Sequence, residues 1–217
     1  MSFLDYLADP STRAVLLQQT WEHVVLVLVP LAVALVVSLA LGIAAHRVPR
    51  ARQPILTVVS AFLTIPSLAL FALFLPIMGI GDGAVLVALT LYALLPIVRN
   101  TVAGLGSVDP AIVEAAKGMG MGPTRRLLRI ELPTAWPVIL AGMRVATLMI
   151  TGIAAIAAIV GGSGLGQEIY RGIRRIGSTG ALESLLGGTL AIVLLALAFD
   201  LLYLGIGRLT IPRGLRD

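Results

Sequence analysis

Few side chains in this sequence have the chemistry of a catalyst. Cysteine is absent, which removes thiolate nucleophiles and thiolate metal sites. The two histidines, His23 and His46, flank the first apolar run. Neither has a carboxylate or histidine partner at metal-ligand spacing, so both are expected at the membrane interface. The glycine-rich run Gly161-Gly162-Ser163-Gly164-Leu165-Gly166 lacks a following lysine and follows an apolar helix instead of a strand. It is therefore neither a nucleotide-binding loop nor a dinucleotide fingerprint, and it reads as flexible backbone. No paired carboxylates or nucleophile–base set appears, so catalysis by this chain is not expected. Two charges, Arg144 and Asp200, stand inside apolar runs. Ions there are costly and mark functional candidates. The plainer reading is that Arg144 snorkels to the headgroups and Asp200 pairs with a nearby base.

The richest polar segment is Asp109–Pro133, DPAIVEAAKGMGMGPTRRLLRIELP. Its punctuation predicts two short helices around a glycine turn. Asp109 can cap the first helix, and Pro110 suits the first helical position because that N–H has no partner anyway. Ala111–Lys117 follow, and Gly118, Gly120 and Gly122 stop the helix. A second helix is expected over Thr124–Glu131. Leu127, Leu128 and Ile130 would form its apolar side, Arg125, Arg126 and Arg129 its wet side, and Leu132-Pro133 its end.

The elements that must position this segment are membrane spans. Hydrophobic residues make up 58% of the 217 residues, charged residues 12%, and the mean hydropathy is +1.00. A soluble chain of this size needs more charge to cover its surface. The composition implies an all-α, polytopic membrane protein. Its net charge of +5 does not point to nucleic acid, because the basic residues form short patches between apolar runs. That pattern suits orientation in a membrane and contact with lipid headgroups.

About five spans are expected: Val24–Ala45, Ile55–Leu75 interrupted by Pro66, Ala84–Val98 carrying Pro96, Trp136–Val160, and Leu190–Ile206. The division is residues 1–23 as an extracytoplasmic segment with a short interfacial helix, 24–206 as the transmembrane domain, and 207–217 as a cytoplasmic tail. Residues 99–135 form the polar loop. With that loop in the cytoplasm, the N-terminus lies outside and the C-terminus inside. Eleven basic residues then face inward and four outward, with Arg144 in a span, which fits the positive-inside bias. Three of the outer four, Arg171, Arg174 and Arg175, run against the trend. Broken spans point to a transport route, because unwound backbone is tolerated only in a cavity or inside protein. Thr64, Pro66, Ser67, Tyr92 and Pro96 are the candidates, together with Arg144.

The residues Glu114, Ala115, Ala116, Gly120, Ile130, Leu132 and Pro133 match in spacing the signature loop of the membrane subunits of bacterial ABC importers. The stretches TIPSLAL (64–70), PIMGI (76–80), LYALLPIVRNT (91–101) and GLGQEIYRGI (164–173) resemble more narrowly the permeases of osmoprotectant importers, which carry glycine betaine, carnitine, choline and related quaternary amines. The resemblance implies a type I importer permease fold in the bacterial inner membrane. It implies that the seven signature residues dock on a separate ATPase, which binds ATP and Mg, so this chain needs no cofactor of its own. It also implies a second permease copy or paralogue and an external substrate-binding protein. One departure is the lack of an evident aromatic cage for a quaternary ammonium group. The alternatives are another importer class, for an amino acid, a phosphonate or an oxyanion, and an ion-gradient carrier or channel.

Overall fold

The computed structural model describes residues 3–211, and its order of elements follows from where apolar length, proline and glycine fall. A short helix α1 (Phe3–Ala8) leads into the long α2 (Pro10–Arg47). Helix α3 (Pro49–Thr64) and helix α4 (Ser67–Met78) come next, then α5 (Asp82–Gly106). The polar loop holds α6 (Pro110–Gly118) and α7 (Pro123–Arg126). Helix α8 (Leu132–Ala154) passes through a 3-10 segment, Ala155–Val160, towards α9 (Gly166–Arg174), and α10 (Ala181–Thr210) closes the bundle. Regular structure among the described residues is entirely helical.

Four helices are long and apolar enough to cross a membrane, and the bent pair α3–α4 makes up to five. Helix α5 is the central post: 61% of its apolar window lies inside the molecule, against 11% for α10. It packs on α2, α3, α4 and α8. Small residues bring these helices close, as membrane packing favours. A Cβ on Gly42 of α2 would lie 2.5 Å from Thr101 Cγ2 of α5, and one on Gly142 of α8 would lie 2.8 Å from the Pro96 carbonyl. Buried Leu26, Val27, Leu89, Ile97 and Ile150 fill the core between them.

Several boundaries differ from those read in the sequence. The helix that holds the first expected span begins well before Val24 and takes in most of the segment ahead of it, with only α1 set apart. Asp9 caps α2 by accepting from the Thr12 N–H at 3.1 Å, with Pro10 at the first position, so one helix runs from Pro10 to Arg47. Capping overrode the polar composition there. The helix of the third expected span runs beyond Ala84–Val98, because Pro96 is absorbed within α5 and the helix continues to Gly106. The helix of the fifth begins earlier than Leu190, at Ala181. Arg213 and Arg216 of the expected tail lie outside the described residues.

His23 does not face the outside of the bundle. It is fully buried, and its Nε2 lies 3.1 Å from the Thr151 carbonyl of α8. A carbonyl only accepts, so Nε2 carries the proton. His46, in the last turn of α2, is half-buried.

Candidate functional site: a polar elbow and a broken span

The first arm of the polar loop forms as its residues dictate. The Asp109 carboxylate accepts from the Ala111 N–H at 2.8 Å, and Pro110 opens α6. The far end closes with the paired bonds of a glycine-terminated helix. Met121 N–H donates to the Ala116 carbonyl at 3.1 Å and Gly120 N–H to the Lys117 carbonyl at 2.9 Å. Gly120 has φ of 77°, the left-handed conformation this closure requires. Ala116 is buried and Ala115 exposed. Glu114 pairs with Lys117 at 2.6 Å in the open, and the lysine hydrogen bond holds the carboxyl below its usual range.

Helix α6 shows one unexpected face. Ile112, Ala115 and Met119, at positions i, i+3 and i+7, all point to the exterior, and Met119 is 69% exposed. This apolar stripe lacks a partner among the described residues.

The second arm departs from expectation. Leu132-Pro133 does not end a helix. Helix α7 runs through a π turn, Leu127–Glu131, straight into α8, so Pro123–Val160 is one continuous rod. In the π turn the Leu132 N–H reaches back to the Leu127 carbonyl. That wider register accommodates Pro133, whose missing N–H and bulky ring would break an ordinary α-turn. The expected wet and dry sides are also redistributed. Leu127 is buried against Leu105, Ala135 and Ile139, whereas Leu128 is exposed. Arg126 is not wet: its Nε donates to buried Glu131 at 2.6 Å. Ile130 and Leu132 are half-buried and Pro133 is exposed.

One contact was not foreseen from the sequence. Arg47, at the end of α2, donates to the Pro123 carbonyl at 3.0 Å and ties the rod's foot to the first span. A cavity of about 450 Å³ lies under the elbow, lined by residues that include Arg47, Glu114, Arg126 and Glu131. Only the basic residue at a helix end hinted at this tie, since its acceptor is a backbone atom.

The broken span is where Pro66 predicted it. Helices α3 and α4 meet at 97°, with Ile65 and Pro66 extended between them. The Tyr92 hydroxyl of α5 donates to the Ile65 carbonyl at 2.6 Å, which pins the corner. The structure therefore brings Tyr92 to the Thr64–Ser67 stretch. Thr64 bonds its own helix, donating to the Ala61 carbonyl at 2.7 Å, and Pro66 is exposed. Pro96 lies elsewhere, half-buried, with its carbonyl accepting from Asn100 Nδ2 at 2.8 Å.

Arg144 does not join that group. It faces α10, where it makes a two-point pair with Asp200 inside a groove of about 730 Å³. The two charges thus answer each other, and Arg144 does not snorkel alone. The glycine run after α8 is also not loose. Ser163 donates through its N–H and its hydroxyl to Asp82, at 2.7 and 2.8 Å, and Gly164 N–H donates to Glu22 at 3.1 Å.

A central post, a pinned broken span and a polar elbow with an exposed apolar stripe define a helical polytopic membrane protein. Residues 34–212 match the family model described as binding-protein-dependent transport system inner membrane component. The chain belongs to that family. It is similar to the choline transport system permease protein OpuBB of Bacillus subtilis, 35% identical over 201 residues that cover 93% of this chain and 91% of the relative. It is also similar to the osmoprotectant import permease protein OsmW of Salmonella typhimurium, 37% identical over 221 residues that cover 100% of both. Its fold is that of a chain in the inward-facing MetNI methionine ABC transporter, with a TM-score of 0.83, 22% identity, and coverage of 94% of this chain and 100% of that one. The chain is a transport component of the inner membrane and not an enzyme.

Proposed function

We propose that this chain is the permease of an ATP-driven importer for quaternary-ammonium osmoprotectants such as glycine betaine, carnitine or choline. The substrate class is supported by the relatives OpuBB and OsmW, whose names specify choline and osmoprotectant transport. The observation that carries the coupling is the exposed Ile112–Ala115–Met119 stripe on a helix capped at both ends. A separate ATPase, which binds ATP and Mg, receives that stripe. Glu114, Ala115, Ala116 and Gly120 form the docking arm. Ile130, Leu132 and Pro133 belong to the foot of the rod that takes up its motion. The loop and the C-terminus are cytoplasmic, and the N-terminus is outside.

Two copies, or this chain and a paralogue, enclose the route. Thr64, Pro66, Ser67 and Tyr92 line it at the broken span. Pro96 and Arg144 flank it, and the charge of Arg144 is offset by Asp200. Closure of the ATPases would push α6, and the continuous helix Pro123–Val160 would deliver that push to the far end of the bundle. An external binding protein supplies the solute.

The test is uptake of labelled choline, glycine betaine and carnitine into proteoliposomes holding this chain with its ATPase and binding protein. The expected result is uptake that needs ATP and the binding protein and survives collapse of ion gradients. Uptake by the permease alone, driven by an ion gradient, would overturn the proposal.

A further inference from the structure

The three arginines that run against the charge bias are not buried. Arg171, Arg174 and Arg175 are all exposed, on α9 and at its end. The helix beneath them is firmly seated. A Cβ on Gly172 would lie 2.7 Å from the Ala181 carbonyl, so α9 lies directly on the start of α10. Glu168, buried on the inner face of α9, accepts from the Tyr6 hydroxyl at 3.1 Å and pairs with Arg171. That carboxylate balances one of the three cations. Among the described residues Arg174 and Arg175 are in no ion pair. The Arg174 guanidinium instead stands 5.7 Å from the centre of the Tyr170 ring, which holds it in place.

Together Gln167, Tyr170, Arg171, Arg174 and Arg175 line a concavity of about 350 Å³. Ile173 and Ile176 of the same segment are exposed as well. Preset guanidinium groups, a tyrosine and an apolar margin are the make-up of a protein–protein contact, and planar guanidinium favours carboxylate partners. Retaining this charge on the outer side of a membrane protein opposes its orientation bias, so an interaction there has to offset that disadvantage.

We propose that this basic face of α9 receives acidic side chains of the external binding protein, with Arg174 and Arg175 as the contact pair. The proposal rests on the orientation and binding-protein dependence given under Proposed function. Rim charges of this kind govern capture and its salt dependence more than the step that follows.

The experiment uses the whole importer, with its ATPase, in phosphatidylcholine nanodiscs. Solute-loaded binding protein is titrated and ATP hydrolysis is read. In R174E/R175E the half-saturating binding-protein concentration should rise about tenfold or more, with basal hydrolysis unchanged. The wild type should weaken as salt rises, and the variant should lose most of that dependence. R174K/R175K should fall between them, and the milder R175Q guards against misfolding of the double variant. An unchanged half-saturation in a stimulated importer would overturn the role of α9 alone. Absence of any stimulation of the wild type would overturn the binding-protein dependence and this face with it. Repeating the titration with phosphatidylglycerol present separates the other anion source. A defect seen only there would assign the face to lipid headgroups and overturn the proposal.

Discussion

Arg144 of α8 and Asp200 of α10 face each other squarely: Nε to Oδ1 is 2.6 Å and Nη2 to Oδ2 is 2.7 Å. Helix α10 is otherwise the least embedded span, so this pair is a principal tie holding it to the bundle, helped by the Thr147–Tyr203 hydroxyl contact at 2.8 Å. Removing one partner strands the other charge in an apolar groove. Asp200→Asn or Arg144→Gln should each lower stability measurably, by less than the loss of a fully buried pair because this one is partly exposed. The exchange Arg144→Asp with Asp200→Arg should recover part of the loss. Unfolding in detergent measures this, and single variants as stable as the wild type would refute it.

Gly120 and Gly118 stand two residues apart and should behave differently. Both have open space where a Cβ would go, but only Gly120 has a positive φ, of 77°. Gly120→Ala strains the elbow by about 1 kcal/mol, whereas Gly118→Ala should improve the helix slightly. Solute moved per ATP hydrolysed should fall several-fold in the first and stay unchanged in the second. Equal ratios would show that the elbow's angle is irrelevant to coupling.

The same logic applies within α8. Gly142 has backbone and side chain of α5 against it, whereas Gly152 has nothing within 4 Å. Gly142→Val should cost about 1–3 kcal/mol by forcing the helices apart, and Gly152→Ala should be neutral or favourable. Thermal midpoints in detergent distinguish the two. A tolerant Gly142 would mean that α5 and α8 are not held at this spacing.

The clasp after α8 gives a fourth outcome. Asp82→Ala removes the acceptor of both Ser163 bonds. Amide hydrogen exchange at Ser163 and its glycine neighbours should accelerate by about tenfold or more, because a hydrogen bond of this charged type contributes about 1.5–3 kcal/mol. Unchanged exchange would show the segment to be held by something else.

The sequence exposed what is local. Asp109, Pro110 and Gly120 dictate the first arm of the elbow through neighbours one to five residues away, and Pro66 breaks its span by its own ring. Long-range relations were less legible. The burial of His23 depends on a carbonyl 128 residues on, and the Arg144–Asp200 pair joins positions 56 apart. The continuity of the rod was missed because Leu132-Pro133 looks like a stop, and only a π turn makes it passable. The glycine run looked loose because its acceptors, Asp82 and Glu22, come from other elements.

The corner between α3 and α4 has a further consequence for the lipid around it. Helix α4 has 12 residues, so it reaches only about 18 Å, short of a hydrocarbon layer of about 30 Å. The first amides of that short helix have no carbonyl of their own helix to bond, and acyl chains cannot serve them. Hydration must therefore penetrate to that depth, or a neighbouring subunit must seal it. A span broken in this way is compatible with lipid only where water or protein covers its corner.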